Sequence, residues 1–504
     1  MISARAQRII YAVVVLVAVV RIVSTYRIFS ETADEGMHLS AGLELLTDHH
    51  YGLHLHNPPL PRAVIAFVPW MAGARWDAAH GSMDQVLTKF HSLGSYRRML
   101  VMGRVGTLLF FLLATLCAAW WARREIGEPG ALLATILFTT QPSILAHSAL
   151  ATVDVAGTAG FALALVAFSY WLEQQSLRNA VILGLAYGFA IMCKLLCIAY
   201  VPAACGAIYV VRLVADERTR TQWRRIVSLL IVPVAATIVV WAGYGFSWGK
   251  VGNISAPAPG FWNGVIGIMD VNREGFQSYA FGQASTKGWW WYFLAALALK
   301  TTLGFLLLLV AGLVSRGRAW IESLCAAAAI LLISMPTHVD IGIRYILPIY
   351  VPLSVAAAGV AVQMLRDRRR AFRVAAVALL TWHLGASFLA HPDYLAYFNE
   401  LGGPDPSRYL IDSNLDWGQD VLRLRDVVRQ ERIDSIALSI AGMPQYDRLG
   451  FPPHREANPF AQVHGWLAVS DHSYRMAGTE GGWRWLRGQP YRRIGKSIRL
   501  YYLP

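Results

Sequence analysis

The chain has 504 residues, 56% hydrophobic and 15% charged, with a formal charge of +14. This balance excludes a soluble globular domain and reads as an α-helical polytopic membrane protein. The cation excess fits topology-setting loops and anionic headgroups better than nucleic acid, and no nucleic-acid partner is expected.

A bilayer core takes about 20 apolar residues per helix. Such runs lie near 8–24, 98–121, 130–147, 155–172, 178–193, 195–211, 226–246, 289–314, 318–335, 345–365 and 371–390, giving about 11 transmembrane helices. The first, Arg8 to Ser24, has no small-residue cleavage site after it and reads as a retained span. Between the first two spans lies a shorter run rich in proline, "NPPLPRAVIAFVPWMAG" at 57–73. If it crossed the membrane, every later loop would change sides. It therefore reads as a helix along the interface, with Trp70 and Trp76 at headgroup depth.

Arginine placement sets the orientation. With "MISARAQR" inside, alternate loops should be basic. They are: "ARRE" at 122–125, "DERTRTQWRR" at 216–225, "SRGR" at 315–318 and "RDRRRAFR" at 366–373, with 173–178 weaker. The N-terminus is then cytoplasmic. Segments 25–97, 148–154, 247–288, 336–344 and everything after 390 lie outside. The five cysteines fall in apolar runs and suit packing; they have no disulfide or metal-ligand spacing. After 390 the apolar runs shorten. "SRYLIDSN" and "IDSIALSI" read as strands flanking a helix, "WGQDVLRLRDVVRQER", and "GWLAVSD" and "KSIRLYYL" as further strands. The division is a membrane domain at 1–390 and a small extracytoplasmic α/β domain at 391–504.

Charges inside or at the edge of a bilayer are costly, and their default reading is functional. They gather on the outer side: Asp34 and Glu35 after the first span, His54, His56 and Asn57 before two prolines, Arg104 in the second span, His147 and Asp154 around the next outer loop, Lys194, Lys300, and His338, Asp340 and Arg344 before the tenth span. Carboxylates can serve as a general base or bind a metal, histidine can ligate, and Lys or Arg can hold a phosphate. Together they suggest transfer from a lipid-phosphate donor. Plainer roles stay open: Asp154 as a helix cap, Lys194 as a snorkelling residue, Lys300 in an ion pair, Arg104 as structural, and His54 as a loop histidine. The loop 247–288 reads either as a mobile lid or as an interfacial loop. In "DSNLDWGQD", Asp412 or Asn414 is a candidate cap and Asp416 and Trp417 are candidate sugar contacts.

The acidic pair after the first span, "HNPPL", "ATVDV" and "DIGIRYILPIYVP" resemble, in that order, the polyprenyl-phosphate-dependent glycosyltransferases of the C-type (GT-C) superfamily. Among these are the protein O-mannosyltransferases and the lipid A aminoarabinose transferases. The likeness covers about residues 8 to 390. The tail from "YLAYFNELGG" to "YLIDSNLDWGQD" resembles a bacterial subgroup.

The resemblance implies a GT-C-like fold with interfacial helices in the first loop. It also implies a bacterial cytoplasmic (inner) membrane location and a polyprenyl-phosphate sugar donor. The acceptor would be a glycan, lipid or protein. It makes Asp34 the catalytic base or acceptor-orienting carboxylate, Glu35 the adjoining acid, and Asp154 a carboxylate near the reaction centre. Lys194 and Arg344 become donor-phosphate ligands; apart from the resemblance, the mid-span charge of Lys300 makes it a further candidate for that phosphate. Transfer would be a single inverting step, since no second nucleophile is evident. Asn57 departs from the His or Lys that many relatives place before the prolines. His56 stands where some place a metal-binding acid, so a divalent metal ion is a candidate cofactor with His56 as ligand. Two other classes remain: a transporter or lipid flippase with intramembrane charges, best suited by Lys300, and a non-catalytic glycan-binding relative.

Overall fold

The computed structural model describes residues 4–76, 96–215, 223–314, 320–442 and 444–504. Helix α1 (Ala4–Val23) leads into two short helices, α2 (Glu35–Asp48) and α3 (Pro59–Met71), packed on each other and on α4 (Tyr96–Ile126). The apolar run at 130–147 is broken: α5 (Glu128–Thr139) and α6 (Pro142–Ser148) meet at 64°. Pro142, which supplies no N–H, stands at that break. Then follow α7 (Asp154–Glu173), α8 (Leu177–Cys193), α9 (Cys197–Ala215), α10 (Ile231–Gly243) and α11 (Pro259–Glu274). A second bent pair, α12 (Tyr292–Lys300) and α13 (Leu303–Val314), turns through 116°. The bundle closes with α14 (Ile321–Ser334), α15 (Tyr350–Arg366) and α16 (Arg370–Leu389).

The protein is a multi-pass membrane protein. Among the described residues seven helical stretches are long and apolar enough to cross a bilayer, or nine if each bent pair is one span. The remaining two predicted spans are α8, of 17 residues, and α14, of 14, which are apolar but short. Helix α15 with its 3-10 lead-in is the axis of the bundle, 94% of its apolar window being buried, whereas α1, α10 and α16 bury 17% each. Those three carry their apolar side chains outward, as helices facing lipid do. Small residues let backbones approach closely: a Cβ on Gly184 or Gly188 of α8 would come within 2.6 Å of Ala235 or Val239 on α10.

As expected, the run at 57–73 forms a short helix, α3, that is not among the span candidates. Trp76 is not at a headgroup surface, however. It is 1% exposed and packs with Leu39, Leu43 and Ile65. Residues 77–95 of the first loop lie outside the described residues. The segment 247–288 is not an unstructured loop. It holds a hairpin of β1 (Trp248–Val251) and β2 (Ile254–Pro257), then α11, then a hairpin of β3 (Ser278–Ala280) and β4 (Gln283–Ser285).

At one end of the bundle, ion pairs tie helix ends together: Arg124 to Glu173 at 2.7 Å and Arg212 to Glu322 at 2.6 Å. The acidic loop before α2, the start of α7 and the lead-in to α15 occupy the other end. Beyond α16 a five-stranded sheet forms, in the order β6 (His454–Glu456), β5 (Ile436–Ser439), β7 (Gly465–Ser470), β9 (Ile498–Leu503), β8 (Arg492–Ile494). Strands β6, β5 and β7 run parallel; β9 is antiparallel to β7 and β8. Helix α17 (Val421–Gln430) packs its Leu424 and Val428 into the same core as Ile436 and Leu500.

Two tail expectations fail. "SRYLIDSN" is not a strand: it forms 3-10 turns, and Leu410 makes a lone bridge to Ala280. The predicted helix starts at Val421 rather than near Trp417, with Asp420 at its N-cap, so neither Asp412 nor Asn414 caps it. The backbone of 417–419 is committed elsewhere. Ala33 N–H donates to Trp417 O at 3.1 Å, and Ser30 N–H to Gln419 O at 3.0 Å.

Candidate active site

Asp34 stands at the N-cap of α2 and makes no capping bond there. Its Oδ2 instead accepts from Arg344 Nη1 at 2.6 Å. Arg344 belongs to the 3-10 turn Ile343–Ile349 that leads into α15. Asp154 opens α7; its Oδ1 accepts from Lys194 Nζ at 2.6 Å and its Oδ2 from Thr152 Oγ1 at 3.0 Å. Lys194, between α8 and α9, also donates to the carbonyl of Arg344 at 3.3 Å. A Cβ on Gly157 would lie 2.7 Å from Lys194 Cβ, so only glycine there admits the lysine stem. Two ion pairs, Asp34–Arg344 and Lys194–Asp154, are thus joined through one residue.

All four side chains line a cavity of about 560 Å³, which His38, His54, His56, Asn57, Ile268 and Tyr345 also border. Asp154 is buried, while the Asp34 side chain is 36% exposed, enough to meet a ligand. Burial raises the Asp34 carboxyl, but the Arg344 guanidinium beside it outweighs that, and the net pKa lies below the usual value. Asp34 is therefore a carboxylate at neutral pH. The Arg344 Nε–H is buried with no acceptor among the described residues, a costly arrangement unless a ligand supplies one.

His38, which sequence reasoning passed over, faces the same cavity. Arg62 Nε donates to its Nδ1 at 3.1 Å, so that nitrogen is the acceptor. Burial and then Arg62 push its pKa down to about 3, leaving it neutral. His54, set aside as a loop histidine, also lines the cavity. A signal for His38 was available in the chain, since it lies four residues after Asp34, one helical turn onward; His54 carried none.

Among the described residues no three His, Cys, Asp or Glu side chains gather closely enough to hold an ion. His56 therefore has no companion ligands among the described residues.

Residues 96–241 match the dolichyl-phosphate-mannose-protein mannosyltransferase family. No curated protein matches the sequence. The structure of ArnT from Cupriavidus metallidurans bound to undecaprenyl phosphate superposes with a TM-score of 0.50 at 16% identity, over 97% of each chain. The chain has the C-type glycosyltransferase fold. The apo form of the same ArnT gives 0.49 at 15% identity, covering 99% of this chain and 98% of that one. The Archaeoglobus fulgidus oligosaccharyltransferase gives 0.46 at 13% identity, covering 90% of this chain and 62% of its own.

Within this glycosyltransferase fold two expected site residues lie apart from the cavity. Glu35 is fully buried and points away from Asp34's partner: Arg104 Nε and Nη2 reach its two oxygens at 2.8 Å each, and Ala151 N–H and Thr32 N–H donate at 2.8 and 2.9 Å. Its lone pairs are occupied, which corrects the expectation of a second acid at the reaction centre and agrees with a structural Arg104. Lys300, 2% exposed, donates to the carbonyls of Leu395, Tyr397 and Asn414. It anchors the chain after α16, its three protons being taken by those carbonyls, and does not line the cavity.

Asp340, four residues before Arg344, is 1% exposed. Its Oδ2 accepts from Trp289 N–H at 2.6 Å while its Oδ1 is buried without a partner among the described residues. Burial pushes its carboxyl up to about 7. Between the unfolded value near 3.8 and about 7 the folded state holds a proton that the unfolded chain has released. This group therefore lowers stability as pH rises through that window. In Asp340→Asn the thermal midpoint should lose that component, so the variant gains on wild type between pH 5 and pH 8. Parallel midpoint-against-pH curves would contradict the assignment.

Proposed function

We propose that the chain is a glycosyltransferase moving a sugar from a polyprenyl-phosphate-linked donor to an acceptor hydroxyl at the outer face of the membrane. One observation carries the reading: Asp34, poised at the cavity, is held by an arginine whose Nε–H still lacks an acceptor. A phosphate oxygen supplies such an acceptor, and Arg suits phosphate because its planar fork can donate twice. The ArnT structure that shares the fold holds undecaprenyl phosphate, which supports the same lipid class here.

In the proposed reaction the acceptor oxygen forms a bond to the anomeric carbon as the bond from that carbon to the phosphate oxygen breaks. Asp34 takes the acceptor proton. The departing polyprenyl phosphate gains one negative charge. Arg344 and Lys194 lie fixed beside it and stabilise that charge without reorganising. Asp154 holds the Lys194 ammonium in place. The single attack inverts the anomeric centre. His38, neutral and anchored by Arg62, offers the acceptor a hydrogen-bonding ring.

The outer-face assignment rests on the arginine pattern: Arg123 and Arg124 end α4 and Arg366 ends α15, opposite the cavity end of those helices. A flippase or transporter reading loses its best residue, since Lys300 spends its protons on backbone carbonyls.

In Arg344→Ala, affinity for undecaprenyl phosphate, measured on purified full-length protein in lipid nanodiscs, should fall about 10- to 100-fold, the worth of charge-assisted hydrogen bonds. If only acceptor affinity changed, Arg344 would not be the phosphate ligand.

A further inference from the structure

The loop 412–420 belongs to no strand or long helix, yet its side chains and backbone touch Arg344 and the segments that flank both Arg344 and Asp34. On the Arg344 side, Ser413 Oγ donates to Ile341 O at 2.6 Å, and Asn414 Oδ1 accepts from Ile343 N–H at 3.0 Å. Trp417 lays its ring against the guanidinium, with Arg344 Cζ 4.3 Å from the centroid. On the Asp34 side, the Trp417 and Gln419 carbonyls receive Ala33 and Ser30 N–H, and Ser30 Oγ donates to Gly418 O at 2.7 Å. Lys300 fixes the loop from below through Asn414 O. Trp417 itself is 5% exposed.

We infer that this loop from beyond the last span is part of the active site, and that Trp417 is a positioning residue that orients the Arg344 guanidinium for the donor phosphate. The inference rests on Arg344 being the phosphate ligand. A guanidinium held on one face by an aromatic ring can rotate only in the plane of that ring. Its Nη1 then reaches Asp34 and its Nε–H stays directed at an incoming acceptor. Because the same residue's carbonyl pins Ala33, the loop also fixes the spacing between Asp34 and Arg344.

The test compares Trp417→Phe, which keeps an aromatic face, with Trp417→Leu, which keeps only apolar volume. Undecaprenyl phosphate affinity is measured on full-length protein, each variant first shown to unfold near the wild-type midpoint. Trp417→Met is a second non-aromatic probe if the leucine variant unfolds. We expect Trp417→Phe to bind within twofold of wild type and Trp417→Leu to bind about tenfold more weakly, the scale of a desolvated cation–π contact. In an Arg344→Ala background, Trp417→Leu should add nothing further. Equal behaviour of Phe and Leu variants, or the same leucine loss in both backgrounds, would reduce Trp417 to packing while leaving the phosphate reading intact. If Arg344→Ala alone bound as tightly as wild type, the phosphate reading would fall and this inference with it.

Discussion

Replacing Asp34 with asparagine is expected to slow sugar transfer by about 10²- to 10⁴-fold, the usual worth of a positioned general base, while undecaprenyl phosphate binding survives or tightens. The second half of this expectation comes from the ion pair. Asp34 Oδ2 and Arg344 Nη1 are 2.6 Å apart, so a phosphate that also draws on Nη1 must compete with Asp34 for the guanidinium. An amide competes less well than a carboxylate. The same competition explains how a carboxylate with a lowered pKa can act as a base: once phosphate draws on Arg344, Asp34 loses part of its stabilising partner and becomes more basic. Two measurements on one preparation decide it, single-turnover transfer from a labelled polyprenyl-phosphate sugar and affinity for undecaprenyl phosphate. Unchanged transfer removes Asp34 from the chemistry. Lost binding would mean that Asp34 organises the phosphate site instead.

Much of this site was legible in the chain, and the reason is electrostatic. A charged residue at a bilayer edge has few inexpensive roles, so Asp34, Asp154, Lys194 and Arg344 stood out, although they are spread over 310 positions. The structure gathers all four around one cavity. What the sequence left undecided was which charges face a ligand and which neutralise each other. Glu35, Arg104 and Lys300 carry the same signal as the cavity residues, since burial makes any charge conspicuous. Glu35 and Arg104 pair with each other across 69 positions, and apart from Thr32 the other hydrogen-bond partners of these three side chains are backbone groups 74 to 116 positions away, which no local pattern marks. The histidines failed in the opposite sense: a neutral imidazole carries no topological penalty, so His54 looked ordinary and His38 was marked only by its helical spacing from Asp34. The tail misled through β-propensity. "SRYLIDSN" carries the β-prone run Tyr409-Leu410-Ile411, but its backbone turns in 3-10 geometry, its Ser413 and Asn414 side chains bond Ile341 O and Ile343 N–H, and its Asn414 carbonyl accepts from Lys300.

The neighbouring acid should fail in a different way. Glu35→Ala is expected to destabilise the fold by roughly 3–5 kcal/mol, because it strands a buried arginine without its counter-ion. Arg104 is 1% exposed and is bidentate to Glu35, and its remaining protons go to the carbonyls of Tyr26, Phe29 and Ser30. The chain from the end of α1 to α2 is therefore wrapped around one guanidinium. Glu35 closes that wrap and also satisfies Thr32 and Ala151 N–H. Removing it loosens the loop that presents Asp34, so activity falls through lost geometry. Glu35→Gln, which keeps the shape and one acceptor, should recover part of the loss. A double change of Glu35→Leu with Arg104→Met removes both charges, but recovery should be incomplete: two N–H groups and three carbonyls would still lack partners. Thermal unfolding in detergent separates the two acids, with Asp34→Asn near the wild-type midpoint and Glu35→Ala well below it. A Glu35→Ala protein that unfolds at the wild-type midpoint yet transfers no sugar at saturating donor would return Glu35 to the chemistry.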